Sequence, residues 1–240
     1  MKSGSGKSSA SRRALGKRDR QILKDVVRYR VLTNELVRFR HLPNSNINAA
    51  TKVTSRLADS SWLQRHDYVD GRLYFVPGPA LCQSLGLPKS RMRPLGPQTL
   101  VTAMAIANYC LQAAPTVKLL TQDEIAKSWH WIPDKHRTIA HADEASDDST
   151  IATDSQLRLI RVDLGGTPAH VAQKCQHDMK VRLTKGYMQL LGERRLLYVI
   201  LTATESKKQL IMREVKKRVW PSGARFEVSI VDELCLLLTL

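Results

Sequence analysis

The chain is short of several things, and each shortage excludes something. No apolar run approaches the ~20 residues that a bilayer-spanning helix requires. The N-terminal stretch MKSGSGKSSASRRALG is basic and rich in Ser and Gly, with no apolar segment behind it, so no secretory leader is expected. Only four cysteines occur in 240 residues, Cys82, Cys110, Cys175 and Cys235, and none forms a CxxC pair. That argues against a cysteine-rich zinc module and fits buried, reduced thiols in the cytoplasm. Aromatic residues make up 5% of the chain. There is no GxSxG, no Cys/His pair with an identifiable third member, and no internal repeat. The string GSGKSS invites a phosphate-loop reading. No strand precedes it, however, and Met1 stands where the motif needs its first Gly.

What is abundant is positive charge, +16 in total. Residues 1–93 carry 19 Lys and Arg against 6 Asp and Glu, whereas residues 94–240 carry 19 against 16. A basic module that meets a polyanion is the natural reading. The cations are spread over several elements rather than lining one amphipathic helix, so a membrane surface is the weaker use of them.

Hydrophobic content of 42% suffices for an ordinary core, and the length suits two modest units. Residues 1–16 read as a disordered basic arm. In residues 17–30, Ile22, Leu23, Val26 and Val27 share one helical face. Thr33 caps a second short helix expected to bury Leu36 and Val37, with Phe39 as a further candidate. The HLPNSN stretch is a turn, and a third helix runs from about Ile47 to Ser60 with Ile47, Ala50, Val53 and Leu57 as its apolar stripe. Two strands, about 62–69 and 72–76, flank Asp70-Gly71, a pair suited to a type I′ hairpin turn. Three helices followed by a hairpin form the pattern of a winged helix-turn-helix over 17–93. A Pro-punctuated basic linker then leads into a second unit, 94–240. That unit begins with an apolar helix at 97–113 and a capping box at Thr121 and Glu124. It ends with strand, helix, strand, helix, strand: 157–164, 167–192, 195–203, about 205–219 and 225–232. This alternation predicts an α/β layer with some parallel pairing. The expected fold is therefore α+β in the first part and α/β in the second.

In a helix-turn-helix the recognition helix enters the major groove. Opposite the apolar stripe of the third helix stand Asn48, Thr51, Lys52 and Ser55, with Arg56 beside them. Asn suits adenine, Lys suits guanine, and Ser or Thr suits bases or phosphates. Arg38 and Arg40 at the end of the second helix, and Arg65, His66 and Arg72 in the hairpin, suit phosphate contacts. The bland alternative for the same face is a solvated helix surface.

The run RLADSSWLQRHDYVDGRLYFVPGPALCQSLGL resembles the winged-helix half of the replication-relaxation proteins of plasmids and other mobile elements. The features that carry it are Leu57, Trp62-Leu63, Asp70-Gly71 and Tyr74, with helix 97–113 in the place of the family's linker helix. LIRVDLGGTPAHVAQKCQHDMKVRLTKGY looks like the family's C-terminal half through Asp163, Gly166-Thr167, Lys174 and Tyr187, so the resemblance spans roughly 17–231. Winged-helix antitoxins of abortive-infection systems share the same layout. The resemblance implies duplex DNA as partner, a regulatory or replication-accessory role, and a C-terminal domain similar to a degenerate restriction-endonuclease-like core. In an active version Asp154 and Asp163 would hold Mg²⁺ and Lys174 would orient water. Gly165 stands where such an enzyme carries Lys, and Asp163 before Gly165-Gly166 also reads as turn chemistry.

His130, His136 and His141 do not share a helical face, and loose surface histidines are the simpler reading. His170 and His177, with Cys175 and Asp178 near, are read as solvent-facing on a long helix. The expectation is a non-enzymatic, cytoplasmic, nucleoid-associated DNA-binding protein without a cofactor. It acts by site occupancy, with a possible homodimer through residues 94–240. A Mg²⁺-dependent nuclease and a winged-helix protein-interaction module remain as alternatives.

Overall fold

The computed structural model describes residues 15–113, 117–121, 123–124, 139–142, 156–182 and 185–238, with the side chains at 113, 139–142, 182 and 185 left aside. Among these residues the fold is mixed α/β, with nine α-helices and two small open sheets. The first 77 residues supply α1 (Lys17–Tyr29), β1 (Leu32–Thr33), α2 (Asn34–His41), α3 (Ile47–Asp59), β2 (Leu63–Asp67) and β3 (Leu73–Pro77). The three strands form an antiparallel sheet in the order β1-β3-β2. Strand β1 was not legible as a strand, because two residues are too short for any periodicity. Thr33 ends it and caps α2, accepting from Leu36 N–H at 3.3 Å.

The hairpin turn forms as the Asp-Gly pair demands. Asp70 and Gly71 have φ of 46° and 71°, and Arg72 N–H donates to Val69 O at 2.8 Å. Next comes α4 (Pro79–Leu85), opened by Pro79 and closed by left-handed Gly86. The segment after it, expected as a linker, is pinned to the first unit at three points. Arg91 donates to Val27 O at 2.7 Å, His66 Nε2 meets Met92 O at 2.9 Å, and Leu95 N–H donates to Tyr74 Oη at 3.0 Å.

Helix α5 (Pro97–Asn108) runs on into a π-turn over Tyr109–Ala113. Every residue from Met104 to Leu111 is buried. The chain then builds β4 (Val117–Leu119), β5 (Ile139–Ala142), β6 (Leu157–Val162), α6 (Pro168–Arg182), α7 (Lys185–Gly192), β7 (Leu196–Thr202), α8 (Glu205–Lys216), β8 (Arg225–Ile230) and α9 (Glu233–Leu237). The sheet order is β4-β5-β6-β7-β8; β5 is antiparallel to both neighbours, while β6, β7 and β8 run parallel. The stretch expected as one helix over 167–192 is helical over Pro168–Arg182 and Lys185–Gly192, with the two residues between them outside the described residues.

Strand alternation decides which layer each side chain joins. Ile160, Val199 and Leu201 face α5 and share one core with Ile22, Leu36 and Phe75 of the first unit. Leu159, Tyr198 and Ile200 face the other way and pack on Val171, Cys175 and Ile211 of α6 and α8. The hydrophobic core is thus continuous across residue 93. A second link is ionic: Arg28 of α1 forms a two-bond fork with Glu124, at 2.7 and 2.8 Å, and donates to Leu119 O at 2.6 Å. The capping box read from the sequence is present, Thr121 and Glu124 each bonding the other's backbone N–H.

Two outcomes follow from this architecture. Met104→Ala, at a fully buried site that touches both units, should cost about 2–5 kcal/mol. Calorimetry should show a single transition whose calorimetric and van't Hoff enthalpies agree; two separated peaks would show that the core is not shared. Burial pushes the Glu124 carboxyl up, but bonds from Arg28 and the Thr121 N–H outweigh it and hold it at about 2. Its stabilisation is therefore complete above the ordinary value of 4.5 and is lost as pH falls towards about 2. Glu124→Gln should flatten the acid limb of a Tm-against-pH curve, and an unaltered limb would remove the ion pair from the account.

Candidate nucleic-acid interface

The surface in question is built from α2, the turn after it, and α3. Asn46 caps α3, its Oδ1 accepting from Ala49 N–H at 3.1 Å, and Ser45 N–H closes the preceding turn onto Leu42 O at 2.9 Å. Ala50, Val53, Thr54 and Leu57 form the buried face of α3. Thr54 was not in the expected stripe. It is completely buried because its hydroxyl donates to Asn34 Oδ1 at 2.7 Å, locking α3 to the start of α2. Ile47 was expected inside and is 39% exposed, since it stands at the first position of the helix beside the exposed turn.

The ten candidate contacts divide sharply. Asn48, Thr51 and Lys52 are exposed along α3, and Arg38 and Arg40 are exposed at the end of α2. Ser55 is half-buried, and its carbonyl accepts from Arg65 at 3.1 Å. Between Glu35 and Asp59 the chain has no acidic residue, so the two exposed acids of α2 and α3 stand at the first turn of α2 and the last turn of α3. Phe39, expected inside with Leu36 and Val37, is 45% exposed and flanks this surface, because the buried face of α2 is made by Leu36 and Val37 alone.

The other cations are engaged within the protein. Arg56 bridges to the buried carboxylate of Asp19 at 2.7 Å, which also accepts from the N–H of Gly16, the residue that precedes α1, at 3.2 Å. Arg65 pairs with Asp59. His66 is held by Met92 O, with its ring 5.4 Å from that of Tyr74. Arg72 is exposed at the hairpin tip, but its neighbours are Tyr68, Glu35 and Glu233. Burial, Asp232 and Glu35 raise the Glu233 carboxyl, and Arg72 opposes that rise. The sequence could not show these pairings, because each joins residues from different elements.

Of the residues expected for a nuclease, Asp163 and Lys174 can be placed, and their surroundings differ. Asp154 lies outside the described residues. Asp163 is buried at the end of β6 and accepts from Gly165 N–H and Thr202 Oγ1, both at 3.1 Å. The ammonium beside it is Lys207 of α8, at 3.4 Å, which also donates to Gly166 O at 2.6 Å. Lys174 is exposed on α6 instead. The carboxylate is thus used up in fixing the turn and strand end. His130 and His136 lie outside the described residues, and the side chain of His141 in β5 is not described. His170 and His177 are exposed on α6, while Cys175 faces the core with its thiol pushed up to about 12 by burial. Asp178 turns inward to Arg161 and to Tyr198 Oη. Among the described residues no group of three or more His, Cys, Asp or Glu could hold a metal ion, and no helix is long and apolar enough to cross a membrane.

The chain matches no family model, no curated protein and no solved structure.

The engaged and free cations should behave differently in stability. Arg56→Ala leaves the Asp19 carboxylate, 8% exposed, without its partner and should cost about 1–3 kcal/mol in urea unfolding. Lys52→Ala removes an exposed charge and should stay within about 0.5 kcal/mol of wild type. Equal losses would undo this division.

Proposed function

We propose that residues 17–93 form a winged helix-turn-helix that binds duplex DNA, with α3 as the recognition helix. The observation that carries this reading is the exposed polar and cationic side of α3 and the end of α2, which lies between Glu35 at the start of α2 and Asp59 at the end of α3. There Asn48, Thr51 and Lys52 are exposed on one helix and Arg38 and Arg40 on its neighbour, with the opposite side of α3 buried. The element order α1-β1-α2-α3-β2-β3, with β1 beside β3, supports it. Exposed Asn and Lys side chains on one helix supply the donors and acceptors that read base edges, and the two Arg supply phosphate anchors. Arg56, Arg65 and His66 serve this surface indirectly, by holding α3 and the hairpin in place.

The role is site occupancy, as a regulator or replication accessory of a mobile element. It follows the likeness to replication-relaxation proteins. Catalysis by residues 94–240 is not part of this reading, because Asp163 is committed to internal bonds. One observation favours a protein-interaction use alongside it. A groove of about 540 Å³ beside α1 is lined by Leu23, Val27, Trp62, Leu81 and Leu85.

Fluorescence anisotropy with duplex DNA at several salt concentrations tests the proposal. Arg38→Ala and Arg40→Ala should each lower the slope of log K against log[salt] by about 0.9 and weaken all sequences alike. Asn48→Ala and Lys52→Ala should relax sequence preference, at about 1–3 kcal/mol per lost base contact. Arg72→Ala, set against Glu35 and Glu233, should change the slope least. Absence of salt-dependent binding by the wild type would overturn the proposal.

A further inference from the structure

The small net charge of residues 94–240 conceals a division. Residues 168–218, which contain α6, α7, β7 and α8, hold 12 Lys and Arg against 4 Asp and Glu. Residues 94–167 hold 6 against 9, and residues 219–240 hold 1 against 3. The fold then sorts the signs by face. Asp178, the only acid on α6, is turned inward to Arg161 and Tyr198. The outward face of α6 keeps His170, Lys174, His177 and Lys180, all exposed. On α8, which packs beside α6, Arg213 and Lys216 are exposed. Lys208 on α8 and Lys217 just after it pair with carboxylates of α8, Glu205 at 3.4 Å and Glu214 at 2.6 Å, in pairs of the kind that solvent and salt screen. These helices cover the sheet face opposite α5, and therefore opposite the core shared with α1–α3.

We propose that the α6–α8 face is a second phosphate-binding surface. It holds the backbone of a duplex other than the one on α3, so that a single chain bridges two DNA segments. The inference rests on the α3 reading for the first duplex. Lys and Arg without a readable pattern of base-specific groups give backbone contacts, so this second surface binds without sequence preference. A second copy of the chain is the poorer occupant, because two such faces would set like charge against like. Exposed Val181, Leu210 and Val219 come from three different places in the chain, among the cations of this face.

A bead-capture assay tests this. One duplex is immobilised, the full-length protein is added, and capture of a second, fluorescent duplex is read. Wild type should capture it. The fourfold variant Lys174→Glu, Lys180→Glu, Arg213→Glu, Lys216→Glu should lose capture on the order of tenfold or more, while still binding one duplex in solution. Circular dichroism melting checks that it is folded, and Gln at the same positions gives a milder set that should lose part of the capture. Undiminished capture by the Glu variant would overturn the proposal, as would a wild type that binds one duplex and captures no second. Capture of anionic vesicles in place of a second duplex would overturn it too. Failure of the α3 reading looks different: Lys52→Glu with Arg38→Glu would leave single-duplex binding intact, and the fourfold variant would abolish it.

Discussion

Helix α5 has no solvent-facing side from Met104 to Leu111, and the rest of the molecule depends on that burial. One side receives α1 and the interior of the first unit; another receives β6 and α9. A helix apolar around its whole circumference needs neighbours all round, so neither unit completes its core without it. Its one buried amide is satisfied locally, Asn108 donating to Met104 O at 3.0 Å and accepting from Gln112 at 3.1 Å. At its end the π-turn delivers Tyr109, whose hydroxyl donates to Glu227 of β8 at 3.0 Å and accepts from Arg158 of β6. The helix therefore fixes the orientation of the five-stranded sheet as well as joining the two parts.

Because the parts share a core, the surface of α2 and α3 is presented by a braced body. The braces are ionic where they cross between elements: Asp19 with Arg56, Asp25 with His41 at 2.9 Å, and Arg28 with Glu124. The two arginine pairs each take a cation out of the pool available to a polyanion. The excess charge of residues 1–93 therefore overstates what the surface offers, and the cations that matter are those with no acid in reach. Arg40 and Lys52 come nearest to that condition, whereas Arg38 has Glu35 three residues before it on the same helix.

The end of β6 illustrates the opposite case. Asp163 is followed by glycines and stands where parallel strands finish, a position at which α/β proteins often place chemistry. Here two hydrogen bonds and the Lys207 ammonium satisfy it, and its work is to hold the turn into α6. A carboxylate so committed is a structural group, whatever its place in the topology suggests.

The sequence by itself determined the elements whose cause is local. The Asp70-Gly71 turn, the Thr33 cap, the Thr121–Glu124 capping box, the Pro79 helix start and the strands β6, β7 and β8 are all set by neighbouring residues and by side-chain period. So was the concentration of cations before residue 93. Tertiary structure alone decided what depends on partners distant in the chain. It placed Thr54 in the core and Ile47 outside it, paired β1 with β3, and matched Asp163 with Lys207 instead of Lys174. It also divided the predicted arginines into braces and free contacts, and turned Asp178 away from the outer face of α6. A charge can be counted along a chain, but its availability is fixed only when the opposite charges have been folded towards or away from it.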